Sequence, residues 1–286
     1  MSLTHRDQRI GSRYLPRFIF AAFSVLFIVL VIISWNIVTA LPSERTTIAI
    51  AGDPVYVLSW DEVQRTLTVI PIPVDVYLDG VYGVGSLSVA SLQKLEALDA
   101  KKKGLFVKSL ENTLALPIVG QWSDLSPALR FRLWWIRKWL RPDAVKMIDL
   151  KSESVLRSDV LADGSGIRVF DVNRYDAVIG NRLEVDSIRR EELRIRLVNT
   201  TFVAGLGNRA ARTFSLAGMV VIAVESEPSV QKFCSIHTKK ELQDSKTATF
   251  VKRAFHCSLT LADWDERADL TVKLGEDYAK GFTTSD

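Results

Sequence analysis

The chain has 286 residues, 48% of them hydrophobic and 24% charged, with a net charge of +4. Those proportions suit an ordinary folded protein of one or two domains. The mild, scattered basicity excludes the concentrated basic surface of a nucleic-acid protein, and there is no P-loop, GxGxxG or zinc-type Cys/His spacing.

In chain order, residues 1–17 form a basic tail in which Arg6, Arg9, Arg13 and Arg17 face a single acid, Asp7. Phe18 to Val38 follows, 21 residues without a charge. At 1.5 Å per residue a helix of that length crosses a hydrocarbon core of about 30 Å. Trp35 stands where an interfacial aromatic belongs, and the arginines hold the tail in the cytoplasm. The expectation is a single-pass protein of the cell membrane with an extracytoplasmic ectodomain. A cleaved signal peptide ending near Val38-Thr39-Ala40 is the competing reading, but its apolar stretch would be shorter, about 7–15 residues.

The ectodomain reads as mixed α/β. TTIAIAG, VYVLSW and RTLTVIPIP read as adjacent strands, the first pair separated by Gly52-Asp53-Pro54. Helical periods cover Leu87 to Leu98, and Phe106 to Leu116 before Pro117. Pro127 to Leu140 is a third helix. Arg130, Arg137, Lys138 and Arg141 share one face of it. Phe131, Leu133, Trp135, Ile136, Trp139 and Leu140 cover a broad opposite face, with Arg132 inside it. The expectation is a core-packing helix with a solvated basic face; a helix lying on a membrane surface is the alternative. Val145 to Leu150 resembles a strand, and the polar stretch from Lys151 to Gly180 carries the loop signal Asp163-Gly164-Ser165-Gly166.

The charge-dense RLEVDSIRREE (182–192) marks a domain boundary between a first unit, 45–183, and a small α/β unit, 190–280. LRIRLVN is an alternating strand, a helix runs to Ala217 and closes at Gly218, and MVVIAV is a second strand. That order implies parallel pairing. Lys246 to Phe255 reads as a helix and Asp269 to Leu274 as a last strand. Cys234 and Cys257, the only cysteines, are expected to bridge in an oxidising compartment. Asn199-Thr200-Thr201 matches a glycosylation acceptor but reads as a turn at a strand end. Ala204-Gly205-Leu206-Gly207 reads as a tight turn in preference to a phosphate-cradling loop.

The C-terminal unit resembles the C-terminal domain of LytR-type cell-envelope proteins. The residues that carry the resemblance are Val198-Asn199-Thr200-Thr201, Ala204-Gly205-Leu206-Gly207, Ala210, Leu216-Ala217-Gly218 and Val221. Arg267-Ala268-Asp269, Val272, Leu274-Gly275 and Asp277-Tyr278 complete it. Thr46 to about Trp122 resembles a degenerate LytR–CpsA–Psr catalytic domain in IAIAGDP, LTVIPIPVDVYL and LFVKSLENTLALPI. That family transfers glycopolymers from polyprenyl-pyrophosphate carriers to peptidoglycan, with a Pro-Arg-Asp signature whose arginine serves phosphate. Here the positions are Pro73, Val74 and Asp75. Phosphoryl transfer needs fixed cations on its developing charge, and valine supplies none. Arg168, Arg174 and Arg182 are the basic residues available to replace it, with no spacing that ties them to Asp75.

The resemblance therefore implies a non-catalytic envelope protein that binds or scaffolds peptidoglycan or an anionic glycopolymer. The alternative is a divergent glycopolymer phosphotransferase, in which Asp53 and Asp75 hold Mg²⁺ with phosphate oxygens. Apart from that metal no cofactor is implied.

Overall fold

The computed structural model describes residues 23–25, 27–32, 44–180, 182–227, 229–261 and 267–283. Within the apolar run, residues 23–25 and 27–32 are helical. The rest of the run, and the basic tail before it, lie outside the described residues, and among the described residues no helix is long and apolar enough to cross a membrane.

The folded part is mixed α/β, as expected, and holds three sheets. In the first, β1 (Arg45–Ile50), β2 (Val55–Asp61) and β3 (Thr66–Ile72) run antiparallel. Their inward residues, Val55, Val57, Ile70 and Ile72 among them, are β-branched and buried in the core. The short β6 (Val145–Met147) adds in parallel to β3. The second sheet has the order β5-β4-β8-β7, from β4 (Val76–Gly80), β5 (Gly85–Ser88), β7 (Leu156–Val160) and β8 (Gly166–Phe170). Helices α1 (Val89–Leu98) and α2 (Leu105–Leu114) pack on it. The Glu96 carboxylate of α1 accepts from the Gly104 and Phe106 amides at 2.9 and 2.7 Å, capping the start of α2.

Helix α3 (Pro127–Trp139) opens on a Ser126 cap with Pro127 at its first position, and its last turn carries Arg137 and Lys138. It buries none of its residues, which corrects the core-packing expectation. Its apolar residues divide into two stripes. Leu129, Leu133, Ile136 and Leu140 are half-buried, at the helical spacing of one face. Phe131, Trp134, Trp135 and Trp139 are exposed.

The stretch from Lys151 to Gly180 is more regular than its polarity predicts. β7 and β8 form an antiparallel hairpin around Asp163-Gly164, and α4 (Val172–Ile179) follows, its start capped by Asp171. β7 is solvent-exposed along most of its length, so no alternating apolar pattern announces it.

The charge-dense segment after Arg182 is a short helix, α5 (Asp186–Glu191), which buries Ile188. Its Glu191 carboxylate accepts from the Lys246 and Thr247 amides at 2.7 and 2.9 Å, so the segment caps a later helix. The third sheet has the order β10-β9-β13-β11-β12. It comprises β9 (Arg194–Asn199), β10 (Val220–Ser226), β11 (Ser235–Thr238), β12 (Ser258–Thr260) and β13 (Leu270–Leu274). β9 pairs in parallel with β10, as the strand–helix–strand order predicts, and on its other side in parallel with β13. Helices α6 (Leu206–Leu216), α7 (Lys246–Ala254) and α8 (Glu276–Ala279) complete the unit.

One contiguous apolar core runs from Ala49 to Phe282 and takes residues from both sides of the 182–192 segment. Arg212 of α6 strengthens the junction. It donates to both Asp176 oxygens at 2.6 and 2.7 Å, and to the Asn112 and Thr113 carbonyls at the end of α2 at 3.0 and 2.8 Å. Those carbonyls lie in the last turn of a helix, where they lack intrahelical donors.

Candidate functional site

Asp75 immediately precedes β4. The parallel register of β4 and β8 sets Val76 opposite Arg168, 92 positions later in sequence. The Arg168 guanidinium closes on the Asp75 carboxylate: Nε donates to Oδ2 at 2.7 Å and Nη2 donates to both oxygens. An arginine therefore does meet Asp75, brought by strand pairing and not by sequence spacing. It neutralises the carboxylate in a fork geometry. Asp53 lies exposed in the β1–β2 turn. The pairing of Val55 with Ile72 places that turn and the segment 73–75 at the same end of the first sheet. No hydrogen bond or ion pair joins the two aspartates among the described residues. Arg182 is engaged elsewhere, donating to Glu153 at 2.7 Å. No three His, Cys, Asp or Glu side chains converge as a metal ligand set among the described residues.

A hollow lies elsewhere in the fold. A cavity of about 760 Å³ opens between β1, α2, the segment 115–121 and the end of α7. Its apolar wall includes Val107, Leu116, Ile118, Val185 and Phe250. Exposed Lys252, Arg253 and His256 stand at its α7 side. Lys252 and Arg253 form no ion pair among the described residues, so their charge is available to an anion. Arg45, also on the lining, is bound to Asp61 at 2.8 Å and nearly buried. Lys108 donates to Glu111 at 2.9 Å. Burial pushes the Glu111 carboxyl above its ordinary range, with attraction to Lys108 opposing the rise. This cavity is not legible in the sequence because its wall joins residues of both units. The only signal was the pairing of an apolar run, 114–119, with the basic end of a distant helix.

The residues that carried the C-terminal resemblance hold the unit together. The Asn199 side chain accepts from the Thr201 amide and hydroxyl at 3.0 and 2.8 Å and donates to the Val203 carbonyl at 3.0 Å. It is the turn residue expected. Gly205 has φ +74°, a conformation glycine adopts freely, and Gly218 ends α6. Asp269 accepts from the Arg194 amide at 2.8 Å and from its guanidinium at 3.1 Å. Gly275 passes so close to the Phe233–Cys234 backbone that any side chain would collide with it. The Asp277 carboxylate accepts from the Cys234 amide. Cys234 and Cys257 are joined as a disulfide, their Cα atoms 4.5 Å apart. Trp134, Trp135 and Trp139 do not line the cavity.

No family model matches the chain, and no curated protein matches it. Among solved structures, the chain is similar to the transcriptional regulator yvhJ of Bacillus subtilis at 11% identity, with a TM-score of 0.36 over 48% of this chain and 95% of that one. It is similar to B. subtilis TagT at 11% identity, with a TM-score of 0.36 over 48% and 88%. A third is the LytR-CPS2A-psr family protein YwtF (TagT) with bound octaprenyl pyrophosphate lipid, at 13% identity and a TM-score of 0.23 over 67% and 80%. All three TM-scores lie below 0.5.

Proposed function

We propose that this chain is a membrane-anchored, extracytoplasmic cell-envelope protein whose ectodomain binds an anionic amphiphile or glycopolymer without transferring it. The observation that supports the reading is the cavity. An apolar wall beside unneutralised Lys252 and Arg253 suits a ligand with a hydrocarbon part and a phosphate. The uncharged run of 21 residues supports the anchor, with the arginines before it setting orientation. Capture of wall-linked phosphate polymer at the mouth would make the protein a scaffold between membrane and wall.

The test is binding of a short-chain polyprenyl phosphate to the full chain in detergent micelles, measured by calorimetry. Lys252→Gln with Arg253→Gln is expected to weaken binding at least about tenfold, since two charge-assisted contacts are lost. Unchanged binding refutes the assignment of the mouth.

A second reading is favoured by the Arg168–Asp75 pair. In it, an arginine supplied by β8 replaces the one missing at Val74, and the chain is a divergent glycopolymer phosphotransferase. Transfer of lipid-linked polymer to peptidoglycan that is lost in Arg168→Gln and Asp75→Asn but kept in the Lys252/Arg253 variant would establish it.

A further inference from the structure

Helix α3 presents an aromatic stripe to the outside. Phe131, Trp134, Trp135 and Trp139 are between 48% and 69% exposed. They sit at the i, i+3, i+4, i+8 spacing of one helix face, turned away from the half-buried stripe that meets the body. Their rings contact one another in sequence, with centroids 5.8 Å apart for Phe131–Trp134, 6.4 Å for Trp134–Trp135 and 6.0 Å for Trp135–Trp139. Lys138 Nζ lies 5.7 Å from the Trp134 ring. A contiguous patch of three tryptophans and a phenylalanine on the surface of a folded chain marks a site of contact.

Three observations identify the occupant as a lipid surface. First, the helix and the residue or two flanking it add Arg130, Arg137, Lys138 and Arg141 to the aromatics, and it carries no acid. Tryptophan beside Lys and Arg is the composition of helices that lie in the headgroup region of anionic bilayers. Second, α3 is fastened where the chain enters the fold. Arg132 Nη2 donates to Glu62 Oε1 at 2.7 Å, Trp60 Nε1 donates to Glu62 Oε2 at 2.7 Å, and the Glu62 amide donates to the Glu44 carbonyl at 2.7 Å. Glu44 directly precedes β1. Third, only residues 39–44 separate the apolar run from β1, a reach of no more than about 20 Å even fully extended. The end of the fold that carries α3 is therefore tethered close to the bilayer.

We propose that α3 is an interfacial helix that docks the ectodomain onto the membrane, its aromatics at acyl-chain depth and its cations on anionic phospholipid headgroups. The proposal rests on the membrane anchoring proposed above. It fixes the orientation of the ectodomain, where an anchor alone would leave the fold free to swivel.

The test uses the full chain in vesicles of phosphatidylcholine and phosphatidylglycerol whose acyl chains carry bromine, which quenches tryptophan on contact. In a Trp35→Phe background, replacing Trp134, Trp135 and Trp139 by Phe keeps the patch apolar but removes its fluorescence. More than about half of the bromine quenching should vanish with them, as expected for rings lying within the acyl boundary. Replacing Arg130, Arg137, Lys138 and Arg141 by Gln should lower the quenching at least about twofold, as should omitting phosphatidylglycerol. Quenching that is equal with and without the three tryptophans overturns the proposal. So does α3-dependent cross-linking between copies with no quenching, which would make the stripe a protein interface. If bromine quenches Trp35 in the native chain but not the α3 rings, anchoring stands and docking fails. If it quenches neither, both fail.

Discussion

Helices α3 and α7 both combine aromatic and basic residues, yet their fates are opposite. α7 buries Thr247, Ala248, Phe250 and Val251, receives a carboxylate cap from Glu191, and leaves Lys252 and Arg253 in water beside the cavity. α3 buries no residue fully, keeps one stripe half-buried and turns four aromatic rings outward. Burial follows the width of the apolar arc more than the number of apolar residues. One stripe fits against one neighbour; α3 carries two, and the protein body can cover only one of them. The second stripe is left over by the fold, and it is the surface that the docking proposal assigns to the membrane.

Substitutions separate the two roles. The largest expected effect is in the C-terminal unit. Phe214 of α6 is fully buried with its ring 4.6 Å from that of Phe255. Phe214→Ala should destabilise the chain by about 3–5 kcal/mol, measured by denaturant titration of the full chain in detergent. The same three tryptophan sites of α3 changed together to Ala should cost less than about 1 kcal/mol in that titration, because no core contact is lost. A cost comparable to that of Phe214→Ala would mean that the aromatic stripe packs after all. The smallest expected effect is a pH slope at Glu111. Burial raises its carboxyl in the folded chain, so the unfolded chain loses its proton first as pH rises. Stability should therefore fall as pH climbs from the ordinary glutamate value to the raised one. Glu111→Gln should flatten that fall, and an unchanged slope would show that Lys108 fully offsets the burial.

Much of the scaffold was readable from residues alone. β1, β2 and β3 are runs of β-branched residues broken by Gly52-Asp53-Pro54 and Asp61-Glu62, and β9, α6 and β10 alternate in the manner that demands parallel pairing. Elements that bury one face announce themselves by period. β7 and β8 did not, because β7 lies in water and has no face to pattern. The helical wheel of α3 showed which residues are apolar but not which of them meet the body. Arg168 was named without a link to Asp75, since the pairing of β4 with β8 joins strands far apart in sequence. Arg212, whose five-donor fork stitches α6 to α2 and α4, looks in sequence like any helix-surface arginine. The cavity shares this property, being built from two units that the charge-dense segment 182–192 seemed to part.

The most direct measurement is hydrogen–deuterium exchange of the full chain in detergent with and without a short-chain polyprenyl phosphate. Slower exchange confined to the segment 115–121 and the second half of α7 is the result predicted for a ligand held in the cavity against Lys252 and Arg253. Slower exchange at 73–76 and along β8, with α7 unchanged, would contradict it and place the phosphate on Arg168.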